Sequence, residues 1–166
     1  MDKTKAEQAQ YTLEDFRKIV KTLRSEYGCP WDRAQSHGSL TGCMLEEAAE
    51  AVSGIKLYER TGNSDSMKEE LGDVLMQVVL HAQIAEEEGI FTLDDVVAGI
   101  SEKMIRRHPH VFEPDGTPLR GKEPDPANLK SWKEIKEKEK NLQKYRESSA
   151  KKRIRKTFAK FYKTIL

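Results

Sequence analysis

The chain has 166 residues, 34% of them charged and 37% hydrophobic, with a formal net charge of +1. That length suits one domain with an appendage, and so thin an apolar complement favours self-association to bury more surface. No apolar run approaches the ~18 residues of a membrane span, the polar start "MDKTKAEQAQ" lacks a signal-peptide core, and Cys29 and Cys43 form neither a disulfide framework nor a zinc spacing, so a reduced, cytoplasmic protein is expected.

The net charge hides an asymmetry. Residues 151–166 carry seven Lys or Arg and no acid, which leaves 22 basic against 28 acidic residues in the other 150, a net −6. The acidic body and the basic tail are separate physical objects.

Strand signals are nearly absent and helical spacing recurs, so the expected fold class is all-α. Phe16, Ile19, Val20 and Leu23 follow the i, i+3, i+4, i+7 pattern of a first helix. Thr12 and Asp15 suit a capping box there, with Tyr11 and Phe16 as a hydrophobic staple. Gly28 and Pro30 end it, and "GCPWDRAQSHGS" reads as a loop. A second helix is expected from about Ser39 to Tyr58, although Gly42 and Gly54 weaken it, and "RTGNSDS" is a turn. A third helix, about 66–88, has the cleanest stripe, Leu71, Val74, Leu75, Val78, Val79 and Ala82, expected to face the core. Gly89 closes that helix. Thr92 opens a fourth, with Phe91 and Val96 as its staple and Val96, Val97, Ile100 and Met104 on its core side. "RRHPHVFEPDGTPLRGKEPDPAN" is Pro-rich and irregular. A fifth, mostly polar helix covers about 128–147 with Leu129, Trp132 and Ile135 as anchors, and the tail repeats apolar residues at Ile154, Phe158, Phe161, Tyr162 and Ile165. The expected division is a body over 1–147 and a basic amphipathic tail over 148–166.

Two acidic clusters stand out. Glu46, Glu47 and Glu50 lie within about one turn of the second helix, and Glu69, Glu70 and Asp73 do the same on the third. Pairs at i, i+3 and i, i+4 share a face, with Cβ atoms about 5–6 Å apart. A short turn favours antiparallel packing of these helices, which brings both clusters to one cleft. Two carboxylates about 5.5 Å apart repel by roughly 3 kcal/mol at an effective dielectric of 20, so several together must bind cations or take up protons. All the donors are oxygens, which favours Mg²⁺, with Mn²⁺ possible, over zinc. Mg²⁺ held by a few carboxylates keeps waters and binds phosphates, which points to phosphoryl chemistry. The bland alternative is a pair of solvated acidic helix faces. A di-iron carboxylate bundle fits poorly, since Ser53 and Asp73 stand where Glu50 and Glu70 would need a histidine at i+3.

The ordered set "GCPWD", "MLEEAAE", "EELGDVLMQVV", "AEEEG" before Phe91, and "RRHPHVF" resembles the MazG family of nucleoside triphosphate pyrophosphohydrolases over about residues 13–140. The acids run EExxE, 19 residues, then ExxD. Each short motif is unspecific alone; their order and spacing are specific. The resemblance implies an all-α helical bundle whose four-helix active-site core is completed by dimerisation, so a homodimer or higher homo-oligomer is the expected partner. It implies Mg²⁺-dependent hydrolysis of a nucleoside triphosphate to monophosphate and pyrophosphate. By position, Glu47, Glu50, Glu70 and Asp73 would hold the metal. Glu46 and Glu69 would be supporting acids that orient the attacking water or a further ion.

The resemblance also assigns substrate contacts. Positions matching Lys103 and Arg107, on one face at i, i+4, contact the nucleotide in the family, and Arg106, His108 and His110 add to the same basic run. The plain alternative is a solvated basic helix end favoured by the helix dipole. Positions matching Trp132 and Lys136 close over substrate; Trp132 could equally be a helix anchor. Trp31, with Asp32, frames the base or packs its loop, and His81 reads as a core or edge histidine. Many family members carry two such modules, whereas this sequence holds one acidic set. The basic tail is unlike the usual continuation: it suits an anionic membrane surface, nucleic acid or, as favoured here, a neighbouring subunit's acidic surface. The implied role is nucleotide-pool house-cleaning. The rivals are a pyrophosphohydrolase dedicated to one nucleotide and a non-catalytic metal- or nucleotide-sensing module.

Overall fold

A computed structural model describes residues 11–119 together with Glu134 and Glu137. Five helices are described: α1 (Leu13–Leu23), α2 (Pro30–Ala34), α3 (Thr41–Thr61), α4 (Asp65–Glu87) and α5 (Leu93–Arg107). Among the described residues the only β pairing is an isolated bridge between Phe112 and Pro118, so the all-α expectation holds. The expected fifth helix over 128–147, with Trp132 and Lys136, and the basic tail over 148–166 lie outside the described residues.

Several helix ends have a local cause. The Thr12 backbone N–H donates to the Asp15 carboxylate at 3.0 Å and the Asp15 N–H donates to the Thr12 hydroxyl at 3.1 Å, a complete capping box at α1. Thr92 and Asp95 repeat it at α5, at 2.8 and 3.2 Å. Pro30 opens α2, a helical turn inside the segment expected to be a loop, because its fixed φ suits the first helical position. Gly62 ends α3 with φ 74°, and Gly89 ends α4 with φ 68°. At the latter the Ile90 N–H reaches the Ala85 carbonyl at 2.9 Å and the Gly89 N–H the Glu86 carbonyl at 3.1 Å, which is the Schellman closure a left-handed glycine permits.

The chain divides into two compact units, Met1–Val96 and Val97–Leu166. In the first, Val20 of α1, Leu40, and Val79, Leu80, Ala82 and Ile84 of α4 bury together with Leu93, and Phe16, Cys43 and Val78 pack against them. Ion pairs brace α1 along α4: Arg17 and Lys21 reach Glu86 at 3.4 and 3.1 Å, and Arg24 grips Glu87 at 2.7 Å. In the second unit the segment after α5 folds back on itself, with Leu119 N–H donating to the Val111 carbonyl at 2.8 Å, while Ile105 packs over Gly116.

The core differs from the sequence expectation in two places. Of the expected α4 stripe, Val79 and Ala82 are buried, but Leu71 and Leu75 are 49% and 42% exposed. Among the described residues, Leu80 and Ile84 join Val79 and Ala82 in the core, with Val78 packed against them. On α5, Val96, Val97, Ile100 and Met104, expected on the core side, are 36–45% exposed. Periodicity reports an apolar face without saying what covers it.

Candidate active site

The α3–α4 hairpin builds the site. Gly54 is buried, and a Cβ on it would lie 3.0 Å from both the Cα and the N of Met67. Only a glycine admits so close an approach of two helix backbones. From that crossing, one turn back along α3 gives Glu50 and the next Glu47, while one turn forward along α4 gives Glu70 and then Asp73. The helices therefore run antiparallel, and their acids meet in register. Carboxylate oxygens of Glu47, Glu70 and Asp73 all lie within 4.8 Å of one another, each side chain half-buried.

The electrostatics follow from that crowding. Burial pushes the Glu47 carboxyl above its ordinary range, and Asp73, Glu50, Glu70 and Glu46 push it further. Glu70 is raised in the same way, by desolvation first and then by Glu50, Asp73 and Glu69, with a hydrogen bond to Glu50 besides. Every charge acting on these two groups is another acid. An exposed acidic face would spread its charges; here they converge where water is partly excluded. A divalent cation relieves that repulsion, and a set of oxygens alone suits a hard ion.

The six expected acids are therefore not equivalent. Glu47, Glu70 and Asp73 form the compact set. Glu50 is exposed and stands just outside it, close enough to act on both Glu47 and Glu70. Glu46 and Glu69 are exposed on the flanks, each acting on one neighbour. Trp31 projects from α2, 60% exposed. Lys103 and Arg107 are half-buried in the last turns of α5, and Arg106 is exposed. Arg106 helps line a cleft of about 570 Å³ in the second unit, together with Glu102, Ile105, Pro109 and Phe112; none of the acidic cluster lines it.

Two features escaped the sequence reading. His81 is an edge histidine, as expected, but its Nδ1 lies 2.8 Å from the Nδ1 of His37. Their rings are near-parallel, at 4°, with centroids 5.1 Å apart. That separation matches two coplanar rings meeting nitrogen to nitrogen rather than a face-to-face stack. Burial and the facing His37 lower the His81 pKa. The other feature is Gln77, buried on α4. No periodicity argument finds a buried amide; its i+4 spacing from Asp73 was the available signal.

Residues 35–112 match the MazG nucleotide pyrophosphohydrolase domain. The chain is 46% identical, over 82% of its length, to the nucleoside triphosphate pyrophosphohydrolase/pyrophosphatase MazG of Thermotoga maritima, covering 49% of that protein. It is 40% identical, over 73% of its length, to the nucleoside triphosphate pyrophosphohydrolase of Escherichia coli, covering 43% of it. It is also 48% identical, over 79% of its length, to the uncharacterized protein YabN of Bacillus subtilis, covering 25% of it. The chain thus spans between a quarter and about half the length of these relatives.

Proposed function

This chain belongs to the MazG family, and on that premise we propose that it hydrolyses nucleoside or deoxynucleoside triphosphates to the monophosphate and pyrophosphate with a divalent cation, Mg²⁺ or Mn²⁺. The observation that carries the reading is the convergence of Glu47, Glu70 and Asp73 oxygens within 4.8 Å. The donor set fits the cation: hard oxygens, half-buried, whose charged form burial and the neighbouring acids disfavour and a positive charge would favour. Glu47, Glu70, Asp73 and the adjacent Glu50 hold it. Bound there, the cation supplies charge neutralisation for the phosphates and acidifies a water for attack.

The chain's own residues do the rest. Glu46 and Glu69, exposed on the flanks, orient the attacking water and accept its proton, and the exposed Glu50 joins them in that task. Because α3 and α4 are fixed by the Gly54 crossing, the carboxylates need no rearrangement as charge develops. The family resemblance alone supports the remaining roles: it assigns Lys103, Arg106 and Arg107 to the outer phosphates and Trp31, Trp132 and Lys136 to substrate contact. House-cleaning of the nucleotide pool in the cytoplasm is the proposed role. None of the described helices is long and apolar enough to cross a membrane. The exposed Leu71, Leu75 and Met76 of α4 support a homodimer or higher homo-oligomer that buries them, with the basic tail contacting a neighbouring subunit.

The test is release of pyrophosphate against phosphate from a panel of ribo- and deoxynucleoside triphosphates, with Mg²⁺ and with EDTA. Metal-dependent pyrophosphate release is expected, and the ranking separates broad cleansing from one dedicated substrate. No release from any nucleotide while Mg²⁺ still binds would refute the proposal in favour of a sensing module.

A further inference from the structure

Gln77 is 3% exposed, and its amide oxygen has no hydrogen-bond partner among the described residues. A buried acceptor left unmatched carries its full desolvation penalty, so the group calls for a partner that arrives with a ligand. Its position on α4 says from where. Glu70, Asp73 and Gln77 recur at i, i+3 and i+7 and share a helix face. The same face continues into Leu80 and Ile84, which lie in the core. Gln77 therefore stands between the carboxylates and the apolar floor. The single chain already covers it, so a second copy docking on Leu71, Leu75 and Met76 does not bring the missing donor. The donor enters from the carboxylate end.

Ionised carboxylates and phosphate oxygens are acceptors, so neither offers the amide oxygen a hydrogen. A hydrated divalent cation does: Mg²⁺ held by one or two carboxylates keeps several waters, and the ion's charge makes each a strong donor. We propose that Gln77 is a positioning residue of this site. Its Oε1 accepts a hydrogen bond from a water of the cation's hydration shell and sets where that shell sits before Glu70 and Asp73. The inference rests on the metal reading above and adds the outer partner that the ligands alone do not provide.

The test titrates Mn²⁺ into the full chain by electron paramagnetic resonance, for wild type, Gln77→Met and Gln77→Glu. Met removes the acceptor at matched length, and Glu retains an oxygen. Lost outer-shell partners typically weaken metal binding by about 10–100-fold. Gln77→Met is therefore expected to bind Mn²⁺ at least ~10-fold more weakly, while its Tm in EDTA stays at or above wild type, because an unmatched buried amide is gone. Gln77→Glu is expected to bind at least as tightly as wild type. A merely structural amide gives the opposite pair, a lower metal-free Tm with unchanged Mn²⁺ affinity, and that result overturns the inference. Should Gln77→Met fail to fold, Gln77→Glu decides, and a tenfold loss there overturns it as well. Wild-type protein that binds Mn²⁺ yet splits no triphosphate defeats the reaction proposed above, whereas unchanged binding in Gln77→Met defeats the role of Gln77 alone.

Discussion

Gly54→Ala is the sharpest probe of how the hairpin makes the site. The new Cβ would sit 3.0 Å from the Met67 Cα and N. Both are backbone atoms, so no rotamer change relieves the clash, and α3 and α4 must part by about 0.4 Å to restore an ordinary contact. Overpacking of this kind costs about 1–3 kcal/mol. The better helix propensity of alanine returns about 0.5–1 kcal/mol. The net expectation is about 0–2.5 kcal/mol of destabilisation, or roughly 0–10 °C in Tm at about 2–4 °C per kcal/mol for a chain of this size. Because Glu50 and Glu70 each stand a turn from the crossing, the same displacement widens the acidic set and weakens Mn²⁺ binding. Thermal unfolding in EDTA and a Mn²⁺ titration read the two effects separately. Gly99→Ala, whose Cβ meets nothing within 4 Å in the middle of α5, is the control and is expected to stabilise by about 0.5–1 kcal/mol. If Gly54→Ala raises Tm as the control does, the close crossing is not what sets the hairpin.

Glu50→Gln and Asp73→Asn are each expected to abolish pyrophosphate release without unfolding the protein; normal turnover in either would refute the catalytic assignment. Glu47 and Glu70 have folded-state pKa values above the usual 4.5, so their contribution to stability is full below that value and is lost as pH rises through the raised ones. Glu47→Gln should therefore raise the Tm of the metal-free protein at pH 7.5, by a margin that shrinks toward pH 4.5, and should lower it relative to wild type in excess Mg²⁺. Taking the difference between variant and wild type at each pH removes the opposite trend from His81, whose lowered pKa costs stability as pH falls below 6.5. For the proposed homo-oligomer, Leu75→Glu is expected to yield monomer in size-exclusion chromatography with the helix content intact; an unchanged elution volume would exclude the α4 face as the interface. Deleting 151–166 should reduce the oligomer if the tail contacts a neighbouring subunit, and an unchanged oligomer would argue against that role.

Much of this protein is legible from short-range chemistry. Capping pairs at Thr12 and Thr92, the left-handed glycines at 62 and 89, and the 3.6-residue spacing of the apolar side chains fix where helices begin and end, because those forces act within a turn or two of the chain. The acids were legible for the same reason: spacings of three and four on two helices joined by a short turn leave few ways to keep them apart. Their order among the "GCPWD" and "RRHPHVF" segments carried the family resemblance, and the domain match over 35–112 bears it out.

What the linear pattern could not assign was which face packs on what. Leu71 and Val79 look alike in a stripe, yet one is 49% exposed and the other 1%, since burial depends on the neighbour's position and not on period. The ranking of the acids also came from the fold: three converge, Glu50 borders them, and Glu46 and Glu69 flank. Gly54 reads as a helix weakness in the sequence and is the point of closest approach in the structure. The buried placement of Gln77 and the close approach of His37 and His81 exist only once distant segments meet. Sequence determined the helices and the chemistry they carry; tertiary structure decided which carboxylates share a charge, because Coulomb and desolvation energies depend on distances that packing alone sets.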